Sequence, residues 1–298
     1  GIRAGKNTEN RRGLSMTGTP TAIVLGIAQD GGVPHAGCFC STCTSFHDES
    51  KQLFPTSIFI RDEDELHIID VSRQLDAQSR SFGFNPRDIT DIWITHGHLG
   101  HIDGLGLFGK EVMGLRGVRL HASKSMMNLI RSTPRLQDLL ETGVFIESIF
   151  ESNIEIRTHG GLTFLPLPVP HRDELSDTHA FVVRGPRRSL LHLPDHDQWE
   201  LTLKNHGHNS IMGWLSDLRV DVALLDGTFW NEEELPSQAL VPHPTIEESV
   251  RRLGLRKANS PDIRFIHINH SNPILMDEEL RQNMSGWALA EQGEAFIL

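Results

Sequence analysis

Three histidines within six positions constrain more than any other feature what this chain can fold into. They lie in "WITHGHLGHIDGLG", residues 93–106, which runs from β-branched and aromatic residues into glycines. His96 and His98 alternate across Gly97, so at the end of an extended segment both imidazoles point to the same side, and His101 follows where the chain turns toward a helix. Imidazole is the commonest neutral ligand for zinc. This spacing favours a catalytic metal site over histidines that only hydrogen-bond a loop.

Charge and composition narrow the partners that the chain can have. A formal net charge of -11 argues against binding to a nucleic-acid backbone, which usually needs a basic face. No apolar run approaches the roughly eighteen residues of a membrane-spanning helix. We therefore expect a small-molecule substrate, with no nucleic acid and no membrane, and a homodimer stays open. Tyrosine is absent from the composition, so no tyrosine serves as acid, base or nucleophile.

The first twenty residues differ from the rest of the chain. They are basic and polar and lack the apolar segment of a signal peptide, which predicts a disordered leader or an expression-vector remnant over residues 1–20. Because the chain opens on Gly1 rather than Met, export after removal of a signal peptide stays open beside a cytoplasmic location, which we expect. Residues 21–298 contain no linker-like tract and are predicted to form one domain.

Short apolar, β-branched runs recur along the chain and alternate with helix-like segments. Such runs, bounded by turn residues, are typical of strands. Strands are predicted at residues 21–28, 56–60, 66–70, 91–95, 118–122, 162–169, 179–185, 189–195, 220–226 and 263–269, and helices at residues 104–115, 123–131, 209–217 and 245–254. Strands punctuated by helices in both halves predict a layered α/β fold.

A second cluster of metal-binding residues lies in "GCFCSTC", where Cys38, Cys40 and Cys43 fall within six positions. An odd and crowded set of cysteines suits a metal better than a disulfide framework. Three reduced and buried thiols are the alternative interpretation.

The histidine stretch resembles the HxHxDH motif of the metallo-β-lactamase superfamily. Further landmarks follow in the superfamily's order: Asp70 at a strand end before the histidines, His171 in "VPHRDELSDTHAF", Asp195 in "LHLPDHD" and His267 in "FIHINH". Each later landmark is weak alone, but together they extend the resemblance from about residue 21 to the end of the chain. The resemblance implies the four-layer αββα sandwich of this superfamily.

The resemblance also divides the active-site ligands between two ions. It implies His96, His98 and His171 around a first ion, His101 and His267 around a second, and Asp195 as the bridge. In the superfamily motif the position of Gly100 carries an aspartate that binds the second ion, and glycine offers no ligand. We therefore expect a weakened second site, which the substitution Gly100→Asp would tighten. Asp103 is a conceivable but less favoured substitute for the missing carboxylate.

Within the superfamily, the chain most resembles the subgroup that contains pyrroloquinoline-quinone biosynthesis protein B and the cyclic phosphodiesterase of phosphonate metabolism. The stretches "VLGIAQDGGVPHAGCFCSTC", "LLDGTFW" and "HINHSNPIL" are similar to its signatures. In this subgroup a C-x-C-x-x-C run and a distant histidine hold a structural zinc, which implies His270 as the fourth ligand. His35 lies close to the cysteines in sequence and competes for that role. Three thiolates and one imidazole make a closed set without a position for water, as in structural zinc sites.

Two carboxylates at predicted strand ends are candidates for catalysis. Asp195 is expected to orient the nucleophile, although Asp197 is close enough in sequence to take its place. Asp226 either orients a metal-bound histidine or caps the turn that follows its strand.

Two basic residues are candidates for contact with the substrate. His243, before Pro244, either protonates the leaving group and contacts the substrate or only stabilises its loop. Arg172 either clamps an anionic substrate or pairs with Asp173 and Glu174.

The residues and the resemblance together predict a metal-dependent hydrolase. Metal-bound hydroxide would attack a phosphodiester or ester-type bond of a small molecule, because a bound ion lowers the pKa of its water toward neutrality. Zinc is the expected cofactor, with one structural ion and one or two in the active site, where iron or manganese is the alternative. Two other functions stay open: an iron-dependent oxidative biosynthetic protein, and a non-catalytic metal-stabilised binding protein for which Gly100 is the sequence support.

Overall fold

The structure is a computed structural model that describes residues 18–236 and 238–298. The first seventeen residues of the predicted leader therefore lie outside the described residues. None of the helices in the described ranges combines the length and the apolar character that crossing a membrane requires.

Strands and short helices alternate along the described chain. The strands are β1 Thr21–Gly26, β2 Ser57–Asp62, β3 Glu65–Ile69, β4 Asp91–Trp93, β5 Val118–Ser123, β6 Phe145–Phe150, β7 Ile156–Arg157, β8 Thr163–Val169, β9 Thr178–Arg184, β10 Ser189–Leu193, β11 Val222–Asp226, β12 Asp262–Ile266, β13 Ala288–Leu289 and β14 Ala295–Ile297. The helices are α1 Ser41–Ser45, α2 Leu75–Phe82, α3 Leu99–Ile102, α4 Lys124–Ser132, α5 Pro134–Glu141, α6 Trp199–Asn205, α7 Ile211–Asp217, α8 Ile246–Leu253 and α9 Glu278–Gln282.

The strands form two mixed sheets of seven strands each within the described ranges. The first has the order β14-β1-β2-β3-β4-β5-β6 and the second the order β13-β12-β11-β10-β9-β8-β7. Neighbours from β3 to β6 are parallel, as are neighbours from β10 to β13, and the remaining pairs are antiparallel. Strands buried on both faces explain why the sequence shows continuous apolar runs rather than strict alternation.

Buried apolar side chains form three clusters, one between the two sheets and one between each sheet and the helices that cover it. Ile58 and Ile60 of β2 lie between the two sheets, whereas Phe59 faces the cluster that α2, α4 and α5 cover. In the second sheet, Leu224 of β11 lies between the sheets and Leu225 packs with α6, α7 and α8. The order of layers is helix, sheet, sheet, helix, which confirms the αββα sandwich of the metallo-β-lactamase type.

All ten predicted strands are present, but the helix predicted at residues 104–115 is wrong. A short 3-10 helix, Asp103–Phe108, follows α3 there and turns come after it. Glycines at residues 104, 106, 109 and 114 disfavour a continuous helix, and Gly114 has a φ of 62°, outside the α-helical region. The other three predicted helices correspond to α4, α7 and α8.

His67 of β3 is buried between the sheets in a polar cluster. Trp93 Nε1 donates to His67 Nδ1 at 3.3 Å, and Asp91 Oδ2 lies 3.8 Å from the same nitrogen. Burial lowers the pKa of His67 to about 4, although neighbouring carboxylates oppose this shift. The folded protein therefore keeps this imidazole neutral at a pH where an unfolded chain protonates it.

We expect His67 to make the fold sensitive to mild acid. The unfolded chain binds a proton at His67 below a pH of about 6.5, and the folded chain binds it only near 4. The free energy of unfolding should therefore fall as the pH drops from about 6.5 to 4. Urea unfolding of wild type and His67→Gln across this range measures the difference, because the other titrating groups are shared. Equal pH slopes for the two proteins would contradict this role of His67.

Candidate active site and metal centres

The ligands predicted from the sequence meet at one edge of the two sheets. Strands β4, β8, β10 and β12 end there, and the ligands follow directly. The predicted ligands at this edge are His96, His98, His171, Asp195 and His267, with His101 in α3. Because parallel strands end at the same edge of a sheet, residues far apart in sequence become neighbours in a crevice.

Three imidazoles form the first set of donor atoms. His96 Nε2 lies 2.9 Å from His98 Nδ1, and both belong with His171 to a group whose ligand atoms lie within 4.8 Å of one another. His171 donates from Nδ1 to Asp197 Oδ1 at 3.2 Å, and His98 donates from Nε2 to Glu174 Oε1 at 3.3 Å. Carboxylates only accept, so the opposite nitrogens, His171 Nε2 and His98 Nδ1, present their lone pairs to the shared space.

Asp70 fixes the direction of the imidazoles of His96 and His101. Thr95 Oγ1 donates to Asp70 Oδ2 at 2.7 Å, because a carboxylate can only accept. The same hydroxyl oxygen therefore accepts from Nδ1 of His96 at 2.9 Å. Asp70 Oδ2 also accepts from Nδ1 of His101 at 2.7 Å. One buried carboxylate thus turns Nε2 of both histidines toward the crevice.

The second set of donor atoms surrounds one oxygen of Asp195. Its Oδ2 lies 3.1 Å from His101 Nε2 and 3.2 Å from His267 Nε2. His267 donates from Nδ1 to Thr228 Oγ1 at 2.8 Å, and that hydroxyl donates to Asp226 Oδ1 at 2.7 Å. Ligands of a tetrahedral zinc with bonds of about 2.0–2.1 Å lie roughly 3.3 Å apart. The nitrogen and oxygen atoms of this set therefore have the spacing of ligands around an ion.

Asp195 lies between the two sets, and Asp197 lies outside them. Asp195 Oδ1 is 3.5 Å from His171 Nε2, and the Asp195 side chain is 3% exposed. Neither Asp195 Oδ2 nor His171 Nε2 has a hydrogen-bond partner among the described residues. Buried polar atoms without partners are rare and indicate an ion or water between them. Asp197 contacts His171 only at Nδ1, the nitrogen that faces away from the two sets. The geometry therefore favours Asp195 as the bridging carboxylate.

Asp30 completes the second set, and the sequence analysis missed it. Asp30 Oδ1 lies 3.2 Å from Nε2 of His101 and 3.2 Å from Nε2 of His267. A Cβ on Gly100 would lie 2.3 Å from Cγ of Asp30, so the space beside the glycine is already filled. The expectation that Gly100→Asp tightens the second site therefore fails for lack of room. The turn "AQDGG" after β1 was the available signal, but no local spacing connects residue 30 to residue 100.

Asp103, the conceivable substitute for the missing carboxylate, lies elsewhere. It is 3.1 Å from Arg73 and 3.7 Å from Arg135. It therefore pairs with arginines at the surface and does not reach the crevice.

The two sets differ in charge. Burial opposes the charged form of His101, but the carboxylates of Asp70 and Asp30 hold its pKa well above the usual value. Burial likewise opposes ionisation of Asp195, yet His267 and His101 hold the pKa of Asp195 well below its usual range. In the first set, burial lowers the pKa of His96 well below the usual value. A metal ion that enters the second set therefore displaces protons from imidazoles that ionised carboxylates stabilise.

His243 and Asp226 form a buried pair beside Asp195. His243 donates from Nδ1 to Asp226 Oδ2 at 2.8 Å, and the same nitrogen lies 3.8 Å from Asp195 Oδ1. Asp226 also accepts from the backbone N–H groups of Thr228, at 3.0 Å, and His196, at 3.2 Å. Asp226 thus contacts an imidazole and caps the turn after β11, which is compatible with both interpretations from sequence.

Arg172 lies at the crevice beside the first set. Its Nη2 is 3.4 Å from His98 Nδ1, and its backbone N–H donates to Asp197 Oδ1 at 3.3 Å. Glu174, one of the alternative partners considered from sequence, pairs with His98 instead. Arg172 Nε is buried and has no hydrogen-bond partner in the described part of the chain. The described residues therefore leave this guanidinium donor unsatisfied.

The cysteine cluster forms a separate centre with His270. The three Sγ atoms of Cys38, Cys40 and Cys43 lie 3.6, 3.8 and 3.5 Å from His270 Nδ1. Zinc bonds of about 2.3 Å to sulfur and 2.0–2.1 Å to nitrogen place such ligand atoms roughly 3.6 Å apart. His35 stacks its ring on His270 at 4.6 Å and donates its backbone N–H to Cys43 Sγ at 3.3 Å. The geometry therefore fits a tetrahedral ion with His270 rather than His35.

We expect the cysteine centre to stabilise the fold. A closed metal site contributes its binding free energy to folding. Cys40→Ser should therefore lower the melting temperature and remove about one zinc per chain, as measured by thermal scanning and metal analysis. His35→Gln is the matched control and should keep the ion, because His35 only stacks on a ligand. A Cys40→Ser protein with unchanged metal content and melting temperature would rule out a structural ion here.

Comparison with known proteins identifies relatives over the whole described fold. A β-lactamase superfamily domain matches residues 68–268. Coenzyme PQQ synthesis protein B of Methylobacterium nodulans is 23% identical over 316 residues, which cover 93% of this chain and 99% of that protein. Zinc-bound PqqB from Methylobacterium extorquens superposes with a TM-score of 0.70 at 19% identity, over 93% of this chain and 100% of that one. A diphosphatase from the PhnP family superposes with a TM-score of 0.67 at 23% identity, over 94% and 97%.

Proposed function

The chain belongs to the metallo-β-lactamase superfamily, and from that membership we propose that it is a metal-dependent hydrolase of a phosphodiester or ester-type bond in a small anionic molecule. One observation carries the proposal: two adjacent sets of imidazole and carboxylate atoms share Asp195 and open into one crevice. The fold supports many activities, so the reaction class rests on this arrangement and not on the fold.

The donor set fits metal ions. His96, His98 and His171 would hold a first ion, and His101, His267 and Asp30 a second, with Asp195 between them. When bound, the ions would lower the pKa of a coordinated water and polarise the substrate oxygen. The hydrogen bonds on the far side of each imidazole already select the nitrogen that faces the ion.

Asp195 and Arg172 would position the reactants. Asp195 is buried and its pKa is held below the usual range, so it can orient the attacking water by accepting a hydrogen bond from it. The unpartnered guanidinium Nε–H of Arg172 would bind a substrate oxygen next to the first set.

His243 would protonate the leaving group. Its Nδ1–H is engaged by Asp226, so Nε2 is the atom that can carry and deliver a proton. Burial opposes ionisation of Asp226, but the charge of His243 holds the pKa of Asp226 below its usual value. The carboxylate behind the ring accepts from Nδ1–H and thereby orients the imidazole. The ring centroid of His243 lies 5.2 Å from that of His171, which places the proton donor beside the ion-binding atoms.

We expect His98→Ala and Asp195→Ala to abolish turnover without unfolding the protein. Both residues contribute donor atoms to the site and neither belongs to an apolar cluster of the core, so hydrolysis should fall at least about a hundredfold. Steady-state rates with an aryl phosphodiester, together with circular dichroism, measure both effects. Asp103→Asn is the control, because Asp103 lies outside the crevice. Retention of most activity by either alanine variant would contradict the proposed hydrolase.

We expect His243→Ala to slow substrates according to their leaving group. Poor leaving groups need a proton as they depart and should lose about 10²–10⁴-fold in rate, whereas good ones should lose little. Rates for a series of aryl phosphodiesters, plotted against the pKa of the leaving phenol, should show a steeper dependence in the variant. An equal loss across the series would mean that His243 only binds the substrate.

An iron-dependent oxidative biosynthetic activity is the second candidate. Asp30, His101 and His267 form a set of two histidines and one carboxylate, which non-haem iron enzymes use. The whole-length similarity to Coenzyme PQQ synthesis protein B favours a biosynthetic role. Metal analysis of protein purified without added metal separates the two, since zinc in both sets supports hydrolysis and iron supports oxidation. Gly100 no longer favours a non-catalytic binding protein, because Asp30 fills its place.

A further inference from the structure

We infer that Asp30 supplies the second ion with the carboxylate that the superfamily motif places at residue 100, and that Gly100 is the space which this carboxylate requires. The ligand has thus moved from the histidine stretch to the turn after β1, and the site keeps its charge. This inference rests on the metal sites of the proposed function but not on the reaction that they catalyse.

The contacts of Asp30 place it in the site rather than at the surface. Its Oδ1 is 3.2 Å from Nε2 of both His101 and His267, and its side chain is 25% exposed. The Nδ1 atoms of these two histidines already donate to Asp70 and Thr228. The Nε2 atoms that face Asp30 are therefore the ones available to an ion, and Asp195 Oδ2 faces the same pair.

The Asp30 side chain occupies the space beside Gly100 and leaves no room for a side chain at residue 100. A Cβ on Gly100 would lie 2.3 Å from Cγ, 2.4 Å from Cβ and 2.6 Å from Cα of Asp30. The last of these is a backbone atom, so a rotation of the Asp30 side chain would not relieve the contact. Even alanine at residue 100 must push the Asp30 backbone and its carboxylate away from His101 and His267.

Backbone hydrogen bonds hold Asp30 in register with His267. Ile268 N–H donates to the carbonyl of Ile27 at 2.7 Å, and Gln29 N–H donates to the carbonyl of Ile268 at 2.9 Å. Gly32, at φ 71°, closes the turn by donating its N–H to the carbonyl of Gln29 at 2.8 Å. The segment that carries Asp30 is thus attached to the segment that carries His267, and the position of the carboxylate does not depend on a free loop.

The test is a chelator titration in which metal per chain is counted at each step. Wild type should hold one structural ion and two ions in the active site. In Asp30→Asn, which keeps the shape of the side chain, one active-site ion should leave at a chelator concentration at least about tenfold lower. Gly100→Ala should show the same loss, although alanine offers no metal-binding atom. Gly106→Ala and Asp103→Asn are matched controls and should behave like wild type, because nothing lies within 4 Å of a Cβ on Gly106 and Asp103 pairs with Arg73.

The outcomes separate this inference from the proposed function. Loss of one ion in both Asp30→Asn and Gly100→Ala, with both controls intact, supports the relocated ligand. If Asp30→Asn keeps both active-site ions at wild-type chelator concentrations, Asp30 only pairs with imidazoles and the inference is wrong, while the hydrolase proposal stands. An equal loss in Asp103→Asn would also overturn it. Wild-type protein that holds the structural ion alone would overturn both.

Discussion

Two buried carboxylates set the direction in which the active-site imidazoles present their nitrogens. Asp70 and Asp226 can only accept hydrogen bonds, so the hydroxyls of Thr95 and Thr228 must donate to them. Each hydroxyl then accepts from Nδ1 of a histidine, and Nε2 turns toward the crevice. The rest of the site depends on this arrangement, because an imidazole binds an ion through a nitrogen that carries no proton, and here the proton that stays on the ring is the one on Nδ1.

The double sheet holds these groups in backbone conformations that they would not adopt alone. Asp70 has φ 59° and His267 has φ 62°, and each directly follows a strand of the core. Such conformations are costly for residues other than glycine and persist only where the surroundings fix them. Here the residues just before them, Ile69 and Ile266, are fully buried in the cluster between the sheets, so packing there offsets the strain that aims the two side chains into one crevice.

Sequence reasoning succeeded where ligands are close in sequence or follow a motif, and failed where a contact joins distant segments. The spacing of His96, His98 and His101 is local, and a strand end followed by a turn explains their convergence. Asp30 contacts His267 across 237 positions, and no periodicity encodes that contact. The helix expected at residues 104–115 failed for a different reason, because its four glycines weaken the helical preference that its apolar residues indicate, and Gly114 has a φ of 62°.

The structural and the active-site centres share the same two chain segments. The turn with Asp30 leads directly to the cysteines, and His270 follows His267 by three positions. Cys43 Sγ lies 3.5 Å from His270 Nδ1, while Asp30 Oδ1 lies 3.2 Å from His267 Nε2. An ion on the cysteines would therefore join the segment that carries the relocated carboxylate to the segment that carries its partner histidine. A carboxylate within the histidine stretch would be positioned by the same segment as the histidines. Asp30 comes from another segment, so its position relative to His267 depends on the contacts that join the two segments.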